Sequence, residues 1–212
     1  MYYLYLVIYI KRYEKTIFYS IGRSFVSVRK CGAGGKSGYA VCAQQCYEQE
    51  CNSVDGTSDK AVGGEKCPVI YLLHGHGGNA FTWMTIKPDL PQIADREGII
   101  FVCPDGKNSW YWDSPRNKDY RYESFVAKEL VEYIDKNFAT KADRSGRVIT
   151  GLSMGGHGGM WLSIRHQDIF GGGGSMSGGL DIRPFPDSWN MKARLGEYAS
   201  NKEVWDLSLI HI

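Results

Sequence analysis

From Cys67 onward, short apolar runs alternate with helical segments, and this alternation constrains the fold more than any other feature of the sequence. Residues 69–74, 99–103 and 147–152 have the length and composition of buried strands. Residues 170–176 are predicted to form a fourth strand, although four glycines weaken that pattern. Strands that alternate with helices predict an α/β fold, with a mostly parallel sheet and helices on both faces.

Three segments between or after these strands have helical patterns. They are Leu90–Glu97, residues 122–138, whose apolar side chains lie near one face, and residues 156–165. Ligands of such sheets bind at the carboxyl ends of the strands. The loops that follow the first three strands are therefore expected to line any site.

The pentapeptide Gly151-Leu152-Ser153-Met154-Gly155 fits the G-x-S-x-G pattern between a predicted strand and a predicted helix. A serine in this sharp turn takes a strained backbone conformation, and small neighbours leave room for it. Its hydroxyl then projects at a helix N-terminus, where the backbone N–H of Met154 can bind an oxyanion. Ser153 is predicted to be a nucleophile, and the alternative is a capping serine in a glycine-rich turn.

A second candidate element, the run His74-Gly75-His76-Gly77-Gly78, follows the first strand. Loops at this place donate the other oxyanion-hole N–H. We predict the backbone of His76 as that donor, with Gly77 as the second candidate. We expect His74 to pack and fix the loop rather than to act as a base.

Aromatic and acidic residues follow the second strand. Trp110, Tyr111 and Trp112 form either an apolar wall of the substrate pocket or ordinary loop packing, and the sequence leaves both open. Asp105 and Asp113 are expected to anchor turns and loops rather than to take part in chemistry.

These motifs resemble those of the esterase D family of α/β hydrolases, over about residues 62–206. The family includes acetyl and feruloyl esterases, S-formylglutathione hydrolases and mycolyl transferases. The resemblance implies the α/β-hydrolase fold and a Ser-Asp-His triad. It assigns to this chain only Ser153 and the backbone donors Met154 and the His76 loop. The segments that carry it are PVIYLLHGHGGNAFTW, IIFVCPDGKNSWYWDS, YRYESFVAKELVEYID and ITGLSMGGHGGMWLSIRHQDIFGGGGSMSGGLDIRP.

The resemblance also implies that the triad acid and histidine are absent from this chain, because the family carries them well beyond the serine. Residues 58–206 are expected to be a partial esterase domain, incomplete at the C-terminus and inactive by itself. Residues 207–212 resemble the translation of a transposon end used in sequencing libraries, so we expect an adaptor-derived tail. His211 is then no triad histidine.

Residues 1–57 depart from the family pattern and are expected to be either out of frame or a disordered extension with little regular structure. The next reading frame of residues 13–43 permits a basic start, an apolar stretch and a cleavage site typical of a signal peptide. The parent protein is then expected to be secreted or periplasmic, and otherwise cytoplasmic. The four cysteines of this segment lack the C-x-x-C pairs of a metal site, so no metal is expected; they are Cys31, Cys42, Cys46 and Cys51.

The function expected of the parent protein is carboxylic ester hydrolysis through an acyl-enzyme, on acetyl or feruloyl esters of plant polysaccharides. The alternatives are acyl transfer, S-formylglutathione hydrolysis and a non-catalytic carbohydrate-binding role. No cofactor is expected. The net charge of +2 and the absence of basic stripes predict no nucleic-acid partner, and no apolar run is long enough to predict a membrane span. The resemblance implies a small-molecule or polysaccharide ester as the partner, and the oligomeric state stays open.

Overall fold

A computed structural model describes the backbone of four N-terminal strands and the chain from residue 66 to residue 207. The N-terminal strands are β1 (Leu6–Lys11), β2 (Phe18–Ile21), β3 (Ser24–Cys31) and β4 (Gly38–Gln44). The strands that follow are β5 (Val69–Leu73), β6 (Ile100–Pro104), β7 (Arg147–Gly151) and the short β8 (Gly172–Gly173).

The eight strands form one sheet in the order β2-β3-β4-β1-β6-β5-β7-β8. The strands β6, β5, β7 and β8 are parallel, as the sequence pattern predicted. The strand β8 is only two residues long, and an isolated bridge between Leu152 and Met176 continues its pairing with β7.

The prediction of little regular structure in residues 1–57 is wrong for the four N-terminal strands. They pair antiparallel with one another, and β1 joins the sheet antiparallel to β6. Runs such as residues 4–10 and 24–28 are rich in aromatic and β-branched residues, which favour strands. The out-of-frame origin of this segment stays a prediction. The predictions for its four cysteine side chains and for His211 lie outside the described residues.

The helices are α1 (Thr82–Ile86), α2 (Leu90–Glu97), α3 (Tyr122–Ser124), α4 (Leu130–Asn137), α5 (Met154–Arg165), α6 (Met191–Leu195) and α7 (Lys202–Asp206). Helices α1 to α5 lie between β5 and β8, and α6 and α7 follow β8. One π-helical turn, Phe125–Glu129, joins α3 to α4 into a continuous helical segment. Among the described residues, no helix is both long and apolar enough to cross a bilayer.

Apolar side chains of the central strands point alternately to two cores. Tyr71 and Val102 face the larger core, which also contains residues of α4 and α5. Leu72 and Phe101 face the smaller core, which contains Trp83 and residues of α2. This alternation follows from the two-residue period of a strand, and it shows that both faces of the parallel half are covered.

Candidate active site

Ser153 occupies a sharp turn between β7 and α5. Its backbone angles are φ 54° and ψ −114°, a combination that favours glycine because a Cβ atom crowds the backbone there. The Ser153 N–H donates to Met176 O at 2.8 Å and so ties the strained residue to the segment after β8. The predicted strand–turn–helix context of the pentapeptide is confirmed.

Two glycines of the pentapeptide allow the helix to approach the sheet. A Cβ on Gly151 would lie 2.5 Å from both Gly155 O and Leu73 O. A Cβ on Gly155 would overlap the carbonyl group of Leu73. Neither position therefore has room for a side chain, and the strain at Ser153 is maintained by this close packing.

The hydroxyl and the neighbouring amide at this turn are both available. Ser153 is exposed, and its Oγ makes no hydrogen bond with the part of the chain that the structure describes. The N–H of the buried Met154, the first residue of α5, is likewise without a partner among the described residues. A free N–H at a helix N-terminus attracts negative charge.

The loop after β5 lies against this turn. A Cβ built on Gly75 would lie 3.5 Å from Ser153 Cβ, so the loop backbone passes directly beside the serine. Within the described chain the His76 N–H makes no hydrogen bond. The Gly77 N–H, in contrast, donates to Asn108 Oδ1 at 2.8 Å. Of the two candidate donors in this loop, the His76 N–H is thus the available one.

His74 is buried and connects two loops. Its Nδ1–H donates to Gly75 O at 2.7 Å, while Nε2 accepts from the Gly106 N–H at 2.9 Å. An imidazole with these two roles is neutral. Asp105 Oδ1 lies 3.4 Å from Nε2, but the lone pair of Nε2 already accepts the Gly106 N–H, so this contact is not an ion pair. These contacts confirm the prediction that His74 packs and fixes the loop.

Two carboxylates in the second loop have structural partners, as predicted. Burial raises the pKa of the Asp105 carboxyl, yet its hydrogen bonds outweigh that effect and hold the pKa below its ordinary value. The bonds from Lys107 run from the backbone N–H at 2.9 Å and from the ammonium at 2.7 Å. Asp113 accepts from the Ser124 N–H at 3.0 Å and so anchors the start of the helical segment.

The aromatic run after β6 packs in the larger core, which was one of the two alternatives. Trp110, Tyr111 and Trp112 are each at most 4% exposed. The Tyr111 hydroxyl donates to His74 O at 3.1 Å, and the Trp112 ring lies 5.1 Å from that of Trp161. None of the three therefore presents an exposed stacking face. Trp110 and Tyr111 both have positive φ angles, a strained conformation for bulky residues that this dense packing maintains.

No histidine of residues 66–207 forms a hydrogen bond with Ser153 Oγ. His157 is fully buried, with Nδ1 2.8 Å from Gly179 O, and burial lowers the pKa of its imidazole to about 4. His166 lies at the far end of α5, where its Nε2 is 3.0 Å from Glu123 Oε1. The described residues therefore contain the candidate nucleophile and two candidate donor amides, but no histidine hydrogen-bonded to the Ser153 hydroxyl.

The profile of the family described as putative esterase matches residues 59–208. The chain belongs to this esterase family. An acetyl esterase of Caldicellulosiruptor saccharolyticus is 30% identical over 128 residues, which are 60% of this chain and 47% of that protein. An endo-1,4-beta-xylanase/feruloyl esterase of Xylanibacter ruminicola is 33% identical over 131 residues, 54% of this chain and 17% of that protein.

Solved serine hydrolases have the same α/β-hydrolase fold as this esterase chain. A ferulic acid esterase superposes with a TM-score of 0.56 and 27% identity, covering 89% of this chain and 70% of the other. FphF, a fluorophosphonate-binding serine hydrolase of Staphylococcus aureus, superposes with a TM-score of 0.62 and 17% identity. The match covers 94% of this chain and 72% of the other. The chain spans about half, or less, of the length of the curated relatives it matches.

Sequence reasoning did not assign two residues of this region. Asn108 follows β6 by four residues and reaches the loop after β5, 31 residues earlier in the chain. Glu123 accepts from the Trp161 indole at 2.9 Å, 38 residues away, and pairs with His166. Both contacts join segments that are distant in sequence, so no local pattern could have revealed them.

Proposed function

We propose that this esterase hydrolyses carboxylic esters through an acyl-enzyme formed on Ser153. The observation that carries the proposal is the strained, exposed serine with an unpartnered amide on either side, those of Met154 and His76. Two such amides can bind the oxygen of a tetrahedral intermediate, where each donor typically contributes about 10²–10³ in kcat.

The reaction follows from this geometry. Ser153 Oγ attacks the ester carbonyl carbon, and its proton passes to a base while the carbonyl oxygen becomes an oxyanion. The oxyanion accepts from the Met154 and His76 amides. The C–O bond to the alcohol then breaks, and the alcohol leaves with the proton from the base. Water then attacks the acyl-enzyme by the same steps and releases the carboxylic acid product. The base and the acid that orients it lie outside residues 66–207.

We infer that the substrates are acetyl or feruloyl esters of plant polysaccharides. Curated relatives named acetyl esterase and endo-1,4-beta-xylanase/feruloyl esterase support this substrate class. Acyl transfer is the second candidate, because a diacylglycerol acyltransferase/mycolyltransferase of Mycobacterium leprae is 35% identical over 128 residues. S-formylglutathione hydrolysis is the third, because a hydrolase of that name from Arabidopsis thaliana is 28% identical over 167 residues.

Trapping the acyl-enzyme tests the mechanism. The full-length gene product is mixed with p-nitrophenyl acetate, quenched in acid and digested. The mass of the peptide that contains Ser153 is then measured by mass spectrometry. We expect this peptide to gain the mass of one acetyl group, and the Ser153→Ala variant to gain none. Acetylation of a different residue, or steady hydrolysis without Ser153, would contradict the proposal. A non-catalytic carbohydrate-binding protein would show no burst of p-nitrophenol.

Substrate comparison separates the candidates. Acetylated and feruloylated xylo-oligosaccharides are offered to the same protein, with S-formylglutathione as the third substrate. We expect kcat/KM to be highest on one of the two saccharide esters. A higher value on S-formylglutathione would favour the third candidate. A product ester that accumulates when an acceptor alcohol is added would favour acyl transfer.

A further inference from the structure

The loop after β5 forms a tight turn whose geometry depends on one peptide unit. The Gly78 N–H donates to Gly75 O at 3.0 Å, which closes a four-residue turn. Gly77 has φ 77°, whereas His76 has no positive φ angle. This combination defines a type II turn, which places glycine at its third position because other residues are strained there.

The first two of the three peptide units in the turn are held by different partners. The unit that carries the His76 N–H is fixed through its carbonyl, Gly75 O, which accepts from Gly78 and from His74 Nδ1. The central unit, between His76 and Gly77, is the one whose orientation distinguishes a type II from a type I turn. Its N–H donates to Asn108 Oδ1 at 2.8 Å. Asn108 thus holds the one peptide unit that the turn itself does not fix.

Asn108 is in turn held by the segment that contains α6. Arg194 Nε donates to Asn108 O at 3.1 Å, and the Arg194 guanidinium lies 3.7 Å from the centre of the Tyr120 ring. The Arg194 carbonyl accepts from Ser114 Oγ at 2.6 Å. Arg194 thus holds the Asn108 backbone, and Tyr120 and Ser114 hold Arg194, which restricts where the Asn108 side chain can lie.

We propose that Asn108 is a positioning residue of the oxyanion-binding turn. Its side-chain oxygen accepts from the Gly77 N–H and so selects the type II turn. The Gly77 N–H, the second candidate donor, is thereby occupied. The His76 N–H is left as the donor that faces the reacting carbonyl. The inference rests on the proposed function for its catalytic consequence. The turn geometry itself can be measured without catalysis.

The test compares Asn108→Ala with two other variants in the full-length gene product. Asn108→Asp keeps an acceptor oxygen. Asn79→Ala is the matched control, because Asn79 Oδ1 also accepts a backbone N–H, that of Phe81 at 2.8 Å, but outside the turn. Amide hydrogen exchange at Gly77, followed by NMR, reports the hydrogen bond. Hydrolysis of p-nitrophenyl acetate reports kcat and KM.

We expect Gly77 exchange to be at least about tenfold faster in Asn108→Ala and to stay slow in Asn108→Asp and Asn79→Ala. In Asn108→Ala we expect kcat to fall about tenfold with KM nearly unchanged, less than the loss of a whole donor. In Asn79→Ala both constants should stay near those of the wild type.

Either of two results would overturn the inference. One is slow Gly77 exchange in Asn108→Ala. The other is fast Gly77 exchange in Asn108→Ala with an unchanged kcat. If none of the proteins hydrolyses the ester, the proposed function fails, while the exchange rates still decide whether Asn108 holds the turn.

Discussion

The two ends of helix α5 contain the residue types of a catalytic triad, but in separate places. At its N-terminus, Ser153 is exposed beside free amides, and its Oγ is hydrogen-bonded to no imidazole of residues 66–207. At its C-terminus, the His166 ring pairs with the Glu123 carboxylate and is hydrogen-bonded to no serine of the described residues. The twelve residues of the helix span about 18 Å, so the two ends cannot act together.

A histidine–carboxylate pair needs a nucleophile within hydrogen-bond reach to form a catalytic triad. Glu123 also accepts from the Trp161 indole and from Arg165 Nε, each at 2.9 Å, and so joins α3 to α5. The strain, the exposed hydroxyl and the free amides occur only at the other end. We therefore expect the C-terminal cluster to be structural and the N-terminal end to be the reactive one.

The largest expected effect separates the two ends directly. In the full-length gene product, Ser153→Ala should lower kcat on p-nitrophenyl acetate by a factor on the order of 10⁶, because the nucleophile is lost. His166→Ala should leave kcat near the wild-type value and lower the free energy of unfolding by about 1 kcal/mol through the lost hydrogen bond. Initial rates and urea denaturation measure these effects. A large loss of kcat in His166→Ala, with the fold retained, would assign the C-terminal cluster a part in the chemistry.

The second prediction concerns His157, in the first turn of the same helix. Burial lowers the pKa of this imidazole from 6.5 to about 4, so below pH 6.5 the unfolded chain binds a proton that the folded chain does not. Its contribution to stability is therefore complete above pH 6.5 and lost as the pH falls toward 4, by up to roughly 3 kcal/mol.

His157→Asn keeps an N–H donor near the Nδ1 position but cannot titrate. We expect its free energy of unfolding, measured in urea across this pH range, to depend less steeply on pH than that of the wild type. Two parallel curves would show that His157 is not the group responsible.

The smallest expected effect concerns the backbone strain at the reactive end. Ser153→Gly and Ser153→Ala both remove the hydroxyl, but glycine tolerates φ 54° and ψ −114° without a crowded Cβ. The glycine variant should be more stable than the alanine variant by about 1 kcal/mol, as judged by thermal unfolding. Equal stability, or a less stable glycine variant, would mean that the turn stores no strain.

Much of the fold could be predicted because β5, β6 and β7 are short apolar runs with their own boundaries. The starts of β5, β6 and β7 lie within one residue of their predicted positions. The N-terminal strands were missed, since the cysteine, glutamine and glycine content there obscured aromatic and β-branched runs. Strand pairing is decided between distant segments, so composition alone was a poor guide.

For the site, the sequence by itself determined the Ser153 turn, because a strand, two close-packed glycines and a helix lie within a few residues of the serine. It also identified the loop after β5 that lies beside this turn. Only the tertiary structure decided which amide of that loop stays free, since the partner of Gly77 is Asn108, 31 residues away. It likewise decided that Trp110 to Trp112 are core residues, and that the carboxylate near His166 is Glu123, because both depend on contacts between chain segments that only folding brings together.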